Sequence, residues 1–141
     1  ITGGGEEEKN IKKLAKNLNV NVIITGFIED QYELFKHYYL SDVFILPSIS
    51  EAWGLVVNEA MFAGLPILVS EICGCSLDFI DGNGYLINPF NIDDISFKIK
   101  KIFKDDLSIL GEKSICIINE YNFENSSKSF TNIIKNIELR K

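Results

Sequence analysis

Apolar and polar positions along this chain recur with two periods, and the switches between them fall at glycine, proline and aspartate. Across 6–18, Ile11, Leu14, Ala15 and Leu18 stand at helical spacing with charged residues between them, which predicts an amphipathic helix. The run "VNVIITGF" follows; its β-branched stretch at 20–25, closed by Gly26, predicts a buried strand. Asp30 and Glu33 have the spacing of a capping box ahead of a helix carrying Tyr32, Leu34, Phe35 and Tyr38. A strand at 43–46 stops at Pro47, and a helix over 54–63 ends at Gly64-Leu65-Pro66. "ILVS" at 67–70 is then a continuous apolar strand, and a loop through Gly74, Gly82 and Gly84 leads to another at 85–87. Helices follow from about residue 93, marked first by Ile95, Ile99, Ile102 and Phe103, next by Leu107, Leu110, Ile115 and Ile118, and last by Phe130, Ile133, Ile134 and Ile137. Strands apolar on both faces, alternating with helices, predict an α/β fold: a Rossmann-like parallel sheet with helices on both faces.

Composition narrows the class without changing the fold. With 141 residues and 46% apolar content, the chain is long enough for one domain with a real core. A formal charge of -6 argues against a duplex nucleic-acid partner and gives no support for an anionic membrane surface. Lys98, Lys100, Lys101 and Lys104 cluster, but Asp105 and Asp106 follow them, as on the wet side of a helix. The sequence has no apolar run of the roughly 18 to 20 residues that a membrane-spanning helix needs, and no signal peptide opens it. Cys73, Cys75 and Cys116 form no disulfide framework, which suits a reducing, cytoplasmic setting. Cys73-Gly74-Cys75 has no second Cys or His cluster and His37 stands alone, so no metal site is expected.

The chemistry concentrates in "LPSISEAWGLVVNEAMFAGLPILVS". In an open parallel sheet, ligands bind at the carboxyl ends of the strands, where loops lead into helix N-termini. Glu51 falls in such a loop, and Glu59 lies about a turn and a half inside the next helix. The amides of Gly54, Leu55 and Val56 begin that helix, where unpaired N-H groups and the positive end of the dipole attract phosphate. Glycine at 54 lets a phosphate come close to the backbone. Glu59, among Val56, Val57, Ala60 and Ala63, costs free energy unless something pairs with it; a ribose diol would accept that role. Glu51 either stabilises the helix start or accepts from hydroxyls beyond the phosphate. A diphosphate flanked by a ribose and a sugar fits this layout.

The same segment, "PSISEAWGLVVNEAMFAGLPILVS", resembles the E-x(7)-E region of family 4 glycosyltransferases, retaining enzymes of two Rossmann-like domains known as the GT-B fold. The resemblance extends over nearly the whole chain: "ITGGG" is similar to the family's first glycine turn, "NVIITGF" to its next strand, and "CGCSLDFIDGNGYLINPF" to its glycine loop. It implies that 1–141 is a partial C-terminal donor-binding domain, truncated at its N-terminus, whose acceptor domain lies elsewhere in the full-length protein. By the same resemblance Glu51 contacts hydroxyls of the transferred sugar and is the catalytic candidate, Glu59 holds the ribose, and the amides of Gly54, Leu55 and Val56 lie by the diphosphate. Gly26, Phe27 and Ile28 border the base, with Phe27 equally suited to a core; Gly74 and Asp78 belong to the glycine loop. Trp53 stands where the family often has an aromatic, and packing is its plainer role.

Two departures qualify the resemblance: Asp78 replaces a common glutamate in a loop about two residues short, and the family's basic pair would precede Ile1. The implied reaction retains anomeric configuration, needs no cofactor or divalent metal, and serves cell-surface polysaccharide synthesis at the cytoplasmic side, with the inner membrane face open to the full-length protein. Base, sugar and acceptor are not specified. The competing classes are a nucleotide-sugar epimerase of the same architecture and a non-catalytic doubly wound interaction module. A dinucleotide-binding domain fits less well, since "GGGEEE" lacks the G-x-G-x-x-G spacing and sets carboxylates where phosphates would lie.

Overall fold

The computed structural model describes residues 1–138, and side chains through residue 135. Its elements in chain order are α1 (Glu8–Asn17), α2 (Gln31–Tyr39), β1 (Phe44–Leu46), α3 (Leu55–Phe62), β2 (Ile67–Ser70), α4 (Ser76–Phe79), β3 (Gly84–Ile87), α5 (Ile92–Ile102), α6 (Leu107–Glu120) and α7 (Phe123–Glu138). They fall into two compact units, Ile1–His37 and a larger one that begins at Tyr38.

In the larger unit, β1, β2 and β3 form a parallel sheet in that order. The register pairs Phe44 with Ile67 and Leu46 with Val69, then Ile67 with Gly84 and Ser70 with Ile87. Every residue of β2 is buried, as a continuous apolar central strand must be when both faces are covered. On one face Leu68 packs with Ile87 and with Ile102 of α5, flanked by Val43, Tyr85, Ile95, Leu107 and Leu110. Ile67 and Val69 point to the other face, because strand side chains alternate. α3 lies against β1, β2 and α6, and buries Val57, Ala60 and Met61 completely. Each such Val or Met side chain contributes about 1.5–3 kcal/mol by leaving water. The expected α/β class and the helices at 54–63 and beyond 93 are present; the side chain of Ile137 lies outside the described residues.

Two features differ from expectation. Residues 20–25 do not form the buried strand that their composition predicts: Val20 and Ile23 are exposed. Val20 N-H donates back to Ala15 O of α1 at 2.9 Å, and the rest of the run meets the first glycine turn, where Ile1 N donates to the Ile23 carbonyl at 2.7 Å, Thr25 N-H to Ile1 O at 3.1 Å, and Gly3 N-H to Gly26 O at 2.9 Å. β-propensity records fit to a half-buried pleated surface, and the described residues give this run no such surface. The second difference is α4, a single turn inside what reads as a loop. In the smaller unit Asp30 does cap α2, accepting from Tyr32 N-H at 2.7 Å and Glu33 N-H at 3.1 Å, while Glu33 itself pairs forward with Lys36.

Candidate functional site

The carboxyl ends of β1 and β2 carry two loops that are bonded to each other. The first, after β1, holds Glu51, Trp53 and Gly54; the second, after β2, holds Cys73, Gly74 and Cys75. Gly74 N-H donates to Glu51 O at 3.3 Å, and Cys75 N-H donates to Trp53 O at 3.1 Å. Their approach is close enough that a Cβ on Gly74 would lie 2.0 Å from Ala52 O, inside any tolerable contact. Gly74 is thereby placed beside the Glu51 backbone. Glu51 is half-buried as a residue, and its carboxylate accepts a long, exposed 3.4 Å hydrogen bond from Trp53 N-H.

Gly54 caps α3 with φ +100, a left-handed conformation that disfavours other residues. A Cβ there would also sit 2.7 Å from Cys73 Sγ and 3.4 Å from Cys75 Sγ. Glycine at 54, expected from the need to admit a phosphate, is thus required independently by the sulfur atoms packed behind it. Val57 N-H closes the first turn on Gly54 O at 2.8 Å, leaving the amides of Leu55 and Val56 at the open start of the helix without intrahelical acceptors. Both residues have exposed side chains, so this edge meets solvent.

Glu59 lies further along α3 and is half-buried. The sequence reading left its carboxylate for a ligand alone; the structure gives one oxygen a protein partner. Tyr38 Oη donates to Glu59 Oε2 at 2.9 Å. Tyr38 is buried, with its ring tilted against Phe44, and that burial, aided by the Glu59 carboxylate, holds its phenol well above the ordinary tyrosine range. A carboxylate has room for about four hydrogen bonds, so the tyrosine leaves acceptor capacity unused.

Trp53, 40% exposed, meets Phe79 of α4 edge-on at 5.8 Å, and Phe79 meets Tyr121 edge-on at 4.8 Å. The packing role expected for Trp53 is the observed one. Asp78 is exposed in α4, and its carbonyl accepts from Tyr121 Oη at 3.2 Å, which ties the second loop to the end of α6. Gly26, Phe27 and Ile28 belong to the smaller unit; Gly26 has φ +72, Ile28 is half-buried and Phe27 is 83% exposed, which removes the core reading of Phe27. The sequence gives no sign of Tyr38 as a partner of Glu59, and it presents Cys73 and Cys75 as disulfide or metal candidates and as part of the glycine loop, not as packing behind Gly54. Among the described residues no group of three or more His, Cys, Asp or Glu could hold a metal ion. No described helix is long and apolar enough to cross a membrane.

Residues 1–136 match the sequence family described as glycosyl transferases group 1. The O-antigen biosynthesis glycosyltransferase WbnH of Escherichia coli is 34% identical over 134 residues, covering 95% of this chain and 37% of that protein. Among solved structures, sucrose-phosphate synthase from Thermosynechococcus elongatus superposes with a TM-score of 0.78 at 25% identity, over 99% of this chain and 38% of that one. A mutant of S. aureus TarM in complex with fondaparinux, alpha-GlcNAc-glycerol and UDP superposes with a TM-score of 0.77 at 28% identity, over 94% of this chain and 28% of that one. The chain spans little more than a third of the length of the first two of these and just over a quarter of the third.

Proposed function

Because this chain belongs to the group 1 glycosyl transferases and carries the fold of the C-terminal half of a GT-B enzyme, we propose that it binds a nucleotide-sugar donor for retaining transfer of a sugar to an acceptor. The observation that carries this reading is the start of α3, where Gly54 has a conformation and a space that admit no side chain and the amides of Leu55 and Val56 have no intrahelical acceptor, with half-buried Glu51 in the loop before the helix and half-buried Glu59 within it. That grouping suits a guest with an anionic centre and hydroxyls on either side. UDP in the TarM complex supports a nucleoside diphosphate as that guest. The kinship with WbnH supports surface-polysaccharide synthesis as the setting.

In this reading the amides of Leu55 and Val56 take the diphosphate. When the bond between the anomeric carbon and the diphosphate oxygen breaks, negative charge grows on the leaving oxygen, and donors already in place stabilise it without reorganising. Glu59 accepts from the ribose while Tyr38 holds its other oxygen, and Glu51 accepts from hydroxyls of the sugar. Asp78 and Gly74 shape the sugar end, and the acceptor is supplied by the N-terminal half of the whole enzyme. No divalent metal is assigned a part. Titration of the labelled chain with UDP and with GDP tests the reading: amide signals of Gly54, Leu55 and Val56 are expected to move. Silence of all three up to millimolar concentrations of both nucleotides overturns it.

A further inference from the structure

Cys73 and Cys75 make no proposed contact with the donor, yet their sulfurs pack behind Gly54. Both thiols are buried, at 2% and 0% exposure. Cys73 Sγ lies 2.9 Å from Trp53 O, and the two sulfurs lie 3.5 Å apart. A carbonyl can only accept, so the Cys73 hydrogen is committed to Trp53 O, and the hydrogen between the sulfurs must come from Cys75. Burial, with the Cys73 contact next, pushes the Cys75 thiol up to about 12, so it keeps that hydrogen at neutral pH. The result is a relay: Cys75 donates to Cys73, Cys73 donates to Trp53 O, and Cys75 N-H donates to the same carbonyl from the backbone at 3.1 Å. Trp53 O belongs to the peptide that enters Gly54. Cys73 Sγ is also the atom nearest the space where a Cβ of Gly54 would stand. One sulfur therefore both orients the Trp53-Gly54 peptide and backs the residue that follows it.

We propose that Cys73 is a positioning residue for the donor diphosphate, its thiol fixing the Trp53-Gly54 peptide so that the amides of Leu55 and Val56 are presented at the start of α3. The inference rests on the donor-site reading and adds to it a residue that never touches the donor. A purely space-filling cysteine would tolerate any substituent of its volume; a clamp needs the hydrogen.

The test uses the 141-residue chain, UDP as probe, and five variants whose folding is checked by thermal unfolding. Cys73→Ala, which removes the donor, is expected to weaken UDP about threefold to tenfold, the size of one net hydrogen bond. It should also move the carbonyl carbon signal of Trp53 upfield. Cys73→Ser restores a donor and is expected to recover both readouts to within about twofold of wild type. Cys75→Ala makes a comparable buried hole and removes the first donor of the relay while sparing the Cys73 thiol and the backbone donor, so its loss of UDP affinity is expected to be smaller than that of Cys73→Ala. Cys73→Val fills the site without a donor and replaces Cys73→Ala should that variant not fold. Equal UDP affinity for wild type and the donor-less Cys73 variants, with the Trp53 carbonyl unmoved, overturns the inference. If Glu59→Ala weakens UDP in the same series, the donor-site reading survives that loss; a wild-type chain that binds neither UDP nor GDP overturns both.

Discussion

At the level of single residues, the site depends on atoms that no spacing rule links. The pairing of Glu51 with Glu59 is legible because both lie in one segment, at the end of an apolar strand and within the following helix. Tyr38 is not: it comes from 21 residues upstream and in the sequence reads as one more apolar position of α2. Replacing Glu59 by Ala should lower nucleoside diphosphate affinity by about tenfold or more, since hydrogen bonds to a charged group contribute about 1.5–3 kcal/mol; calorimetry or an NMR titration reads this directly. The Tyr38 phenol gives a pH signature. Its pKa is raised in the folded state, so its stabilisation is complete below the ordinary value near 10. Above that pH the unfolded chain loses the proton while the folded chain keeps it, and stability falls. Denaturant titrations from pH 9 to 11 should show wild type losing stability more steeply than Tyr38→Phe; parallel curves would refute the coupling. Gly54→Ala forces a side chain into positive φ and against a buried sulfur, and should destabilise by at least about 1–3 kcal/mol in the same assay.

Among elements, what could be read in advance is what periodicity can register. β2 and α3 are unmistakable, one a continuous apolar run and the other a helix ended by Gly64 and Pro66. α4 has only four residues, about one turn, which is too short for any helical period to appear. Residues 20–25 fail for the opposite reason: their composition is strand-like, but a strand is completed by neighbours and not by its own side chains. The buried polar link from α6 to the sheet is likewise a product of tertiary contact. Ser114 donates to Leu65 O at 2.7 Å and accepts from Asn83 Nδ2 at 3.2 Å, with both Ser114 and Asn83 fully buried. Ser114→Ala removes the partner of a buried donor and a buried acceptor together, and should cost about 1–3 kcal/mol in equilibrium unfolding. A smaller loss would mean that water enters to replace the hydroxyl.

For the molecule as a whole, family and fold follow from nearly the entire chain, which spans 37% of the length of a relative such as WbnH. The 141-residue chain by itself is expected to bind UDP or GDP weakly and to turn over little nucleotide sugar; turnover at ordinary enzyme rates would contradict the assigned division of labour. In the complete enzyme, EDTA should leave transfer unchanged, and a loss of activity restored by a divalent ion would refute the metal-free reading. One more consequence follows from the aromatic stack of Trp53, Phe79 and Tyr121. Trp53 is the chain's sole tryptophan, so its emission is a built-in optical gauge of this corner alone. Unlabelled protein can thus report, by a change in colour or intensity, whether a guest has arrived beside it.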